Sequence, residues 1–254
     1  MTPIVMVHGA FVGGWSFETF RQPFEAMGHK VLAPDLRGHG ATEPRDRVVG
    51  VSMRDYARDI VALCRTLDEP PILVGHSMGG LVAQMAARKV NPRALVLLAP
   101  SPPWGLSGLS LEEVMAAFGA HVANLLTDGS IEPSTALMRH YSLKRMSRAE
   151  AAPVLARMRP ESARAVRETL NWWLDPFMTT SIGPGPLPMP SLVISGQDDR
   201  VHPPSTGKLV ADRIGGKFVT LPHRSHWLLS EPGWEEVAEM ILDWLPRKNR
   251  AAAA

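Results

Sequence analysis

The chain reads as an α/β protein: a six-stranded, mainly parallel, doubly wound sheet with a helical cap inserted between the fourth and fifth strands. Three observations predict this. Six short apolar runs, at residues 4–7, 30–33, 72–74, 94–98, 191–195 and 217–221, have the length and composition of buried strands. Amphipathic helical patterns lie between most of them, so successive strands should run parallel with both faces covered. One connection, residues 101–190, is far longer than the others and carries helical patterns of its own.

In chain order, the first helix is expected over 16–27, with Phe17, Phe20 and Phe24 facing inward. Helices follow at 53–67, with Ser52 as N-cap, and at 78–89, 204–213 and 233–245. Within the long connection, Ser110-Leu-Glu-Glu113 and Ser147-Arg-Ala-Glu150 are capping-box sequences that open helices, and further helical stretches are expected at 133–144 and 161–174. Gly183-Pro-Gly-Pro-Leu-Pro-Met-Pro190 returns the chain as a stiffened, extended linker. The expected organisation is a core of residues 1–100 and 191–250, a cap of residues 101–190 over the C-terminal edge of the sheet, and an alanine tail at 251–254 outside the fold.

Composition bounds the function. With 254 residues, 45% hydrophobic and 20% charged, there is enough chain for one large core with an insertion. A net charge of +2, with no basic run interleaved with aromatics, argues against nucleic acid as a partner. The absence of an apolar run of about 18 residues argues against a membrane span, and the N-terminus enters a strand with no charged leader, so a cytoplasmic location is expected. A homodimer is left open. The single cysteine, Cys64, shares a helical face with Ile60, Leu63 and Leu67 and reads as a buried thiol in a reducing compartment.

The chemistry centres on Gly75-His76-Ser77-Met78-Gly79, a G-x-S-x-G match preceded by an apolar strand and followed by a helical pattern. Such a turn lifts the Ser77 hydroxyl above the sheet as a nucleophile. The Met78 amide at the helix start lacks an intrahelical partner and is suited to an oxyanion. The first strand ends in His8-Gly9-Ala10-Phe11-Val12-Gly13-Gly14-Trp15, a loop of free amides from which Ala10 N–H is the expected second oxyanion donor and Phe11 N–H the alternative. Gly196-Gln-Asp198-Asp199 follows the fifth strand, and Asp199 is favoured over Asp198 as the carboxylate that orients a histidine. The other aspartate is expected to cap the helix starting near 203 or 204. After the sixth strand come His223 and His226. The order Ser77, Asp199, His226 assigns His226 as the base. His39, His76 and Arg37 read as structural. With neither an HExxH helix nor a thiolate cluster, no metal is expected, and the chemistry needs no cofactor.

On these residues the chain resembles the α/β-hydrolase family. The landmarks are His8-Gly9 with Trp15, Pro34-Asp-Leu-Arg-Gly-His-Gly40, Gly75-His-Ser-Met-Gly-Gly80, Gly196-Gln-Asp-Asp199 and Ser225-His-Trp-Leu with Glu231-Pro232. The resemblance implies the triad Ser77, Asp199 and His226, with oxyanion amides from Met78 and the residue after Gly9. It aligns the first strand here with the family's third and implies the spatial order second, first, third, fourth, fifth, sixth. The opening loop is also similar to the branch that holds plant methylesterases and hydroxynitrile lyases. The lyases of that branch use a threonine where this chain has Gly9 and a lysine where it has Trp227, so cyanohydrin cleavage is not expected. A serine at the elbow sets the chain apart from dehalogenases and epoxide hydrolases, which use aspartate.

The expected activity is a serine carboxylesterase acting on a small-molecule ester, small to medium in size and hydrophobic. Phe11, Trp104, Trp172, Trp173, Phe177 and Trp227, with Met115, Met138 and Met178, are candidates for the substrate lining. Between Arg139 and Arg167 stand eight Lys/Arg against two Glu, and an inward arginine there could hold a substrate carboxylate. The rivals are a carbon–carbon bond hydrolase on an acidic diketone and a small-ligand receptor on the same fold. A cofactor-free oxygenase or perhydrolase is more distant.

Overall fold

The structure is a computed structural model and describes residues 2–106 and 128–245. In chain order the strands are β1 (Ile4–Val7), β2 (Val31–Leu32), β3 (Ile72–His76), β4 (Ala94–Leu98), β5 (Ser130–Ile131), β6 (Glu161–Ser162), β7 (Ser191–Gly196) and β8 (Lys217–Leu221). Six of them form one parallel sheet in the order β2-β1-β3-β4-β7-β8, the order the sequence implied. β5 and β6 form a separate antiparallel pair within the inserted segment.

The helices are α1 (Gln22–Ala26), α2 (Met53–Arg65), α3 (Met78–Val90), α4 (Arg148–Ala156), α5 (Ala163–Leu170), α6 (Pro204–Ile214) and α7 (Trp234–Trp244). Because side chains alternate along a strand, each central strand feeds two cores. Ile4, Met6, Val74, Val96 and Ile194 pack on one face with Phe17, Phe20, Phe24, Val237 and Ile241. Val5, Val7, Leu73, Leu95, Leu97 and Val193 pack on the other with α2, α3 and α6. Cys64 lies in this second core, where burial pushes its thiol up to about 11.

Ser52 and Asp55 close a full capping box on α2, and Ser147 and Glu150 close another on α4. Three expected helices come out differently. Residues 16–27 split into a 3₁₀ turn, Gly14–Phe17, and the short α1, because Pro23 lacks an N–H and fits only the first turn of a new helix. Residues 133–144 form one helical turn, Thr135–Leu137, running into a π-helical turn, Met138–Ser142. Glu161 and Ser162 belong to β6, and Ser162 caps α5 through the Ala165 amide at 3.2 Å. Both side chains find partners on the core, which draws them out of the helix. The capping box at Ser110, Met115 and the 251–254 tail lie outside the described residues.

The inserted segment is fastened to the core through buried polar groups. Glu161 accepts from Tyr56 Oη at 2.6 Å and stands 3.0 Å from His39 Nε2, all three groups being buried. The contact with His39 lies off the hydrogen-bond direction and acts as charge attraction. Glu168 accepts from Ser52 Oγ and the Met53 amide, both at 2.8 Å, at the start of α2. Ser162 Oγ donates to Val51 O at 2.6 Å, and Arg159 donates to the carbonyls of Gly38, Ala41 and Glu43. Among the described residues no helix is long and apolar enough to cross a membrane.

Candidate active site

β3 delivers Ser77 to the carboxyl edge of the sheet, and α3 begins at the next residue. Ser77 is held at φ 54, ψ −124, a region non-glycine residues rarely occupy and one that costs about 1–3 kcal/mol. The sharp corner exists because two neighbours have no side chain. A Cβ on Gly75 would stand 2.5 Å from Gly79 O, and one on Gly79 would stand 2.2 Å from the carbonyls of Val7 and His8. The first turn of α3 can therefore sit directly against the end of β1, leaving the Met78 amide at the positive end of the helix.

β7 and β8 bring the other two groups. Their exit loops are zipped together: Gln197 N donates to Leu221 O and Asp198 N to Arg224 O, each at 2.8 Å, and a Cβ on Gly196 would lie 2.3 Å from Ser225 O. This closeness sets Asp199 against His226, whose Nδ1 lies 2.9 Å from Asp199 Oδ2, both side chains buried. The other carboxylate oxygen, Oδ1, accepts from the amides of Val201 and His202 at 2.8 and 2.9 Å. Burial alone would raise the Asp199 carboxyl. The positive character of His226, their hydrogen bond and the His202 amide outweigh it and hold the group below the usual carboxylate range. Nδ1 of His226 is thus the protonated nitrogen, which leaves Nε2 basic. Glu231 steadies the same loop by accepting from the Ser225 amide at 2.7 Å and from its hydroxyl.

The loop after β1 is shaped by a neutral histidine. The Leu36 amide donates to His8 Nε2 at 2.9 Å, so Nδ1 carries the proton and donates to Gly9 O at 2.8 Å. Burial, reinforced by His39 nearby, pushes the His8 pKa down to about 3. His76 is likewise pushed down to about 3 by burial and then by His226, and its Nε2–H donates to His226 O at 2.9 Å. Phe11 holds φ 66 on this loop, with its side chain packed against Ile131, Val166 and Leu170 and its carbonyl accepting from the Arg159 amide at 2.9 Å.

Ser77, His226, Ala10 and Met78 meet around one cavity of about 80 Å³. Among the described residues Ser77 Oγ makes no hydrogen bond; it shares the cavity with the imidazole. Of the residues predicted to line it, Phe11, Met138 and Trp227 do so. Trp104, Trp172, Trp173 and Phe177 do not: Trp104 and Trp172 pack edge-to-face 5.3 Å apart, while Trp173 and Phe177 are 55% and 75% exposed on the outer side. Met178 is exposed as well. Asp198 caps no helix but pairs with Arg145 at 3.1 Å. Sequence reasoning missed Ser101 and His202, which also line the cavity and whose Oγ and Nε2 lie 2.9 Å apart. Their positions offered a signal. Ser101 falls just past β4 and His202 three residues after Asp199, both on the sheet edge where ligands bind in such folds. Val166, Thr169 and Leu170, from α5, complete an apolar wall that had no sequence signal beyond helical spacing. Among the described residues no group of His, Cys, Asp and Glu could hold a metal ion.

A buried carboxylate on an imidazole and a hydroxyl on a strained turn at one largely apolar cavity form an arrangement suited to acyl transfer. Several known proteins have similar chains. A stretch of 103 residues is 41% identical to salicylic acid-binding protein 2 from Nicotiana tabacum, covering 39% of this chain and 39% of that one. Over 273 aligned residues the chain is 26% identical to 2-hydroxy-6-oxo-6-(2'-aminophenyl)hexa-2,4-dienoic acid hydrolase from Metapseudomonas resinovorans, covering 99% of this chain and 87% of that one. A methylesterase crystal structure from Arabidopsis superposes with a TM-score of 0.72 at 20% identity, over 96% of this chain and 98% of that one, a likeness of fold. Residues 4–240 match the model of the Alpha/beta hydrolase family, and the chain belongs to that family.

Proposed function

We propose that this chain is a serine esterase that cleaves a small-to-medium hydrophobic carboxylic ester by way of an acyl-enzyme. The observation that carries the reading is the buried 2.9 Å contact of His226 with Asp199 in the cavity that Ser77 borders from its strained turn. In the forward step Ser77 Oγ attacks the ester carbonyl while His226 Nε2 takes its proton. Asp199 keeps the proton on Nδ1 and stabilises the imidazolium. The Met78 and Ala10 amides donate to the developing oxyanion. His226 then protonates the leaving alkoxide, and water repeats the sequence on the acyl group. The hydrogen bond between His226 and Ser77 closes when substrate is bound, as catalytic hydrogen bonds often do. The inserted segment acts as a cap whose Met138, Val166 and Leu170 favour an apolar acyl group.

Ser77→Ala should lower kcat for p-nitrophenyl acetate by about 10⁶, since triad members act as a unit. A purified variant that kept wild-type turnover would end the assignment. A second reading, hydrolysis of a carbon–carbon bond in an acidic diketone, is favoured by the match along 99% of this chain to the hexadienoic acid hydrolase. Parallel screens of esters and ring-cleavage products separate the two by which class turns over. The name of the tobacco relative keeps a receptor in view; ligand-induced thermal shifts without turnover of either class would favour it.

A further inference from the structure

The positive charge of the inserted segment is unevenly used. Arg145, Arg157, Arg164 and Arg167 are held by Asp198, Glu18, Glu168 and Asp128 at 2.8 to 3.1 Å. Arg159 is taken up by three backbone carbonyls. The remaining three, Arg139, Lys144 and Arg148, converge with His140 and Arg200 on one open groove of about 550 Å³, whose lining contains no acidic residue. Arg139 is steadied by the Leu143 carbonyl, and among the described residues no carboxylate pairs with Arg139, Lys144, Arg148 or Arg200.

Four formal positive charges around one concavity repel each other, and that repulsion is relieved by an anion held between them. The chain as a whole carries only +2, so this is a local concentration rather than a generally basic surface. Arginine forks match phosphate and carboxylate oxygens in pairs, a fit that a lone surface lysine lacks. The groove and the Ser77 cavity draw on the same two stretches of chain. Met138, next to Arg139, lines that cavity, and so do Val201 and His202, which follow Arg200 on the loop from Asp199.

We infer that this groove binds the anionic end of the substrate, a phosphate ester or a cluster of carboxylates, while the scissile end occupies the cavity beside Ser77. The second half of that statement rests on the esterase reading; the first does not. Inorganic pyrophosphate, and separately citrate, titrated into the full chain by calorimetry at low salt should bind saturably, and the tighter of the two names the anion. Arg148→Glu combined with Arg200→Glu should weaken that binding about tenfold or more, and added salt should weaken it in the wild type. In kinetics, an ester with a phosphate tail should exceed its neutral analogue in kcat/KM by about tenfold, a ratio that collapses in the double variant and returns only in part with Arg148→Lys and Arg200→Lys, which restore charge but not the paired donors.

Failure of both anions to bind saturably, or a ratio equal in wild type and double variant, overturns the inference. Because calorimetry needs no turnover, anion binding without ester hydrolysis would sink the proposed activity and leave the anion site standing. Hydrolysis without anion binding would do the reverse.

Discussion

Gly79 sets how closely α3 approaches the end of β1. The methyl of an alanine there would meet two backbone oxygens at 2.2 Å, and neither belongs to a side chain that could swing away. Gly79→Ala should therefore cost about 3 kcal/mol or more, read as a lower urea midpoint at unchanged slope; an unaltered midpoint would show that the corner has room to relax. The same reasoning explains why this corner was legible in the sequence. Each glycine of G-x-S-x-G answers a steric need that the motif itself encodes, so the sharp turn at Ser77 could be read from five letters and their flanks. Asp198 and Asp199 are neighbours of identical chemistry, and their different fates depend on the zipping of two distant loops and on Arg145, 53 residues away. Sequence reasoning could order the pair from context, but it had no means of finding the partner that claims Asp198.

Between elements, the decisive contacts are the carboxylates that the insertion sends into the core. The charge of Glu161 raises the His39 pKa against the opposing effect of burial, and His39 with two hydrogen-bond donors holds Glu161 low despite its own burial, so each favours the charged form of the other. Tyr56→Phe deletes one of those donors, and the cost should be about 1–3 kcal/mol. Glu161→Ala should cost more, about 3–5 kcal/mol, because His39, Tyr56 and the Ser162 amide then all lose the buried carboxylate they share. Equal losses in the two variants, measured by chemical denaturation, would contradict the paired reading. These contacts were not legible. A glutamate in a helical pattern reads as a solvated face, and nothing local says that Tyr56 and His39 wait opposite. The tryptophans of the insertion misled for the related reason that helical spacing marks an apolar face without saying which body it faces. Trp104 and Trp172 face each other, and the cavity wall falls to Val166 and Leu170 instead.

For the whole molecule, the sheet was the most legible feature, since buried parallel strands leave uninterrupted apolar runs that solvent-facing strands do not. The acid response was not, because it depends on how deeply individual histidines are buried. His8 and His76, ordinary near 6.5 when unfolded, are pushed down to about 3 in the fold. Between those values the unfolded chain binds two protons that the native state refuses, so stability falls as pH drops below about 6.5, by roughly 2.7 kcal/mol per pH unit from these two sites. The depressed carboxyls of Asp199 and Glu161 add to the loss at lower pH, as each is protonated on passing through its folded value. His39 works in the opposite sense. Its raised pKa stabilises the fold fully below 6.5, and that contribution fades as pH climbs through the folded value. Thermal scans from pH 4 to 9 should accordingly trace a dome with its steeper flank on the acid side; a flat profile between 4.5 and 6.5 would refute the burial assigned to the two neutral rings.

Glu161 and Glu168 give the insertion a character that its position between two strands does not suggest. They work as plugs, and His39, Tyr56 and the open start of α2 are the sockets. Transplanting residues 128–190 onto a relative that lacks those sockets would leave Glu161 without its partners and Glu168 with Arg164 alone, while removing the stretch from this protein would uncover His39 and bare the amides at the start of α2. The cavity is therefore best reshaped in place, on the wall that α5 presents to it, rather than by exchanging the insertion as a part.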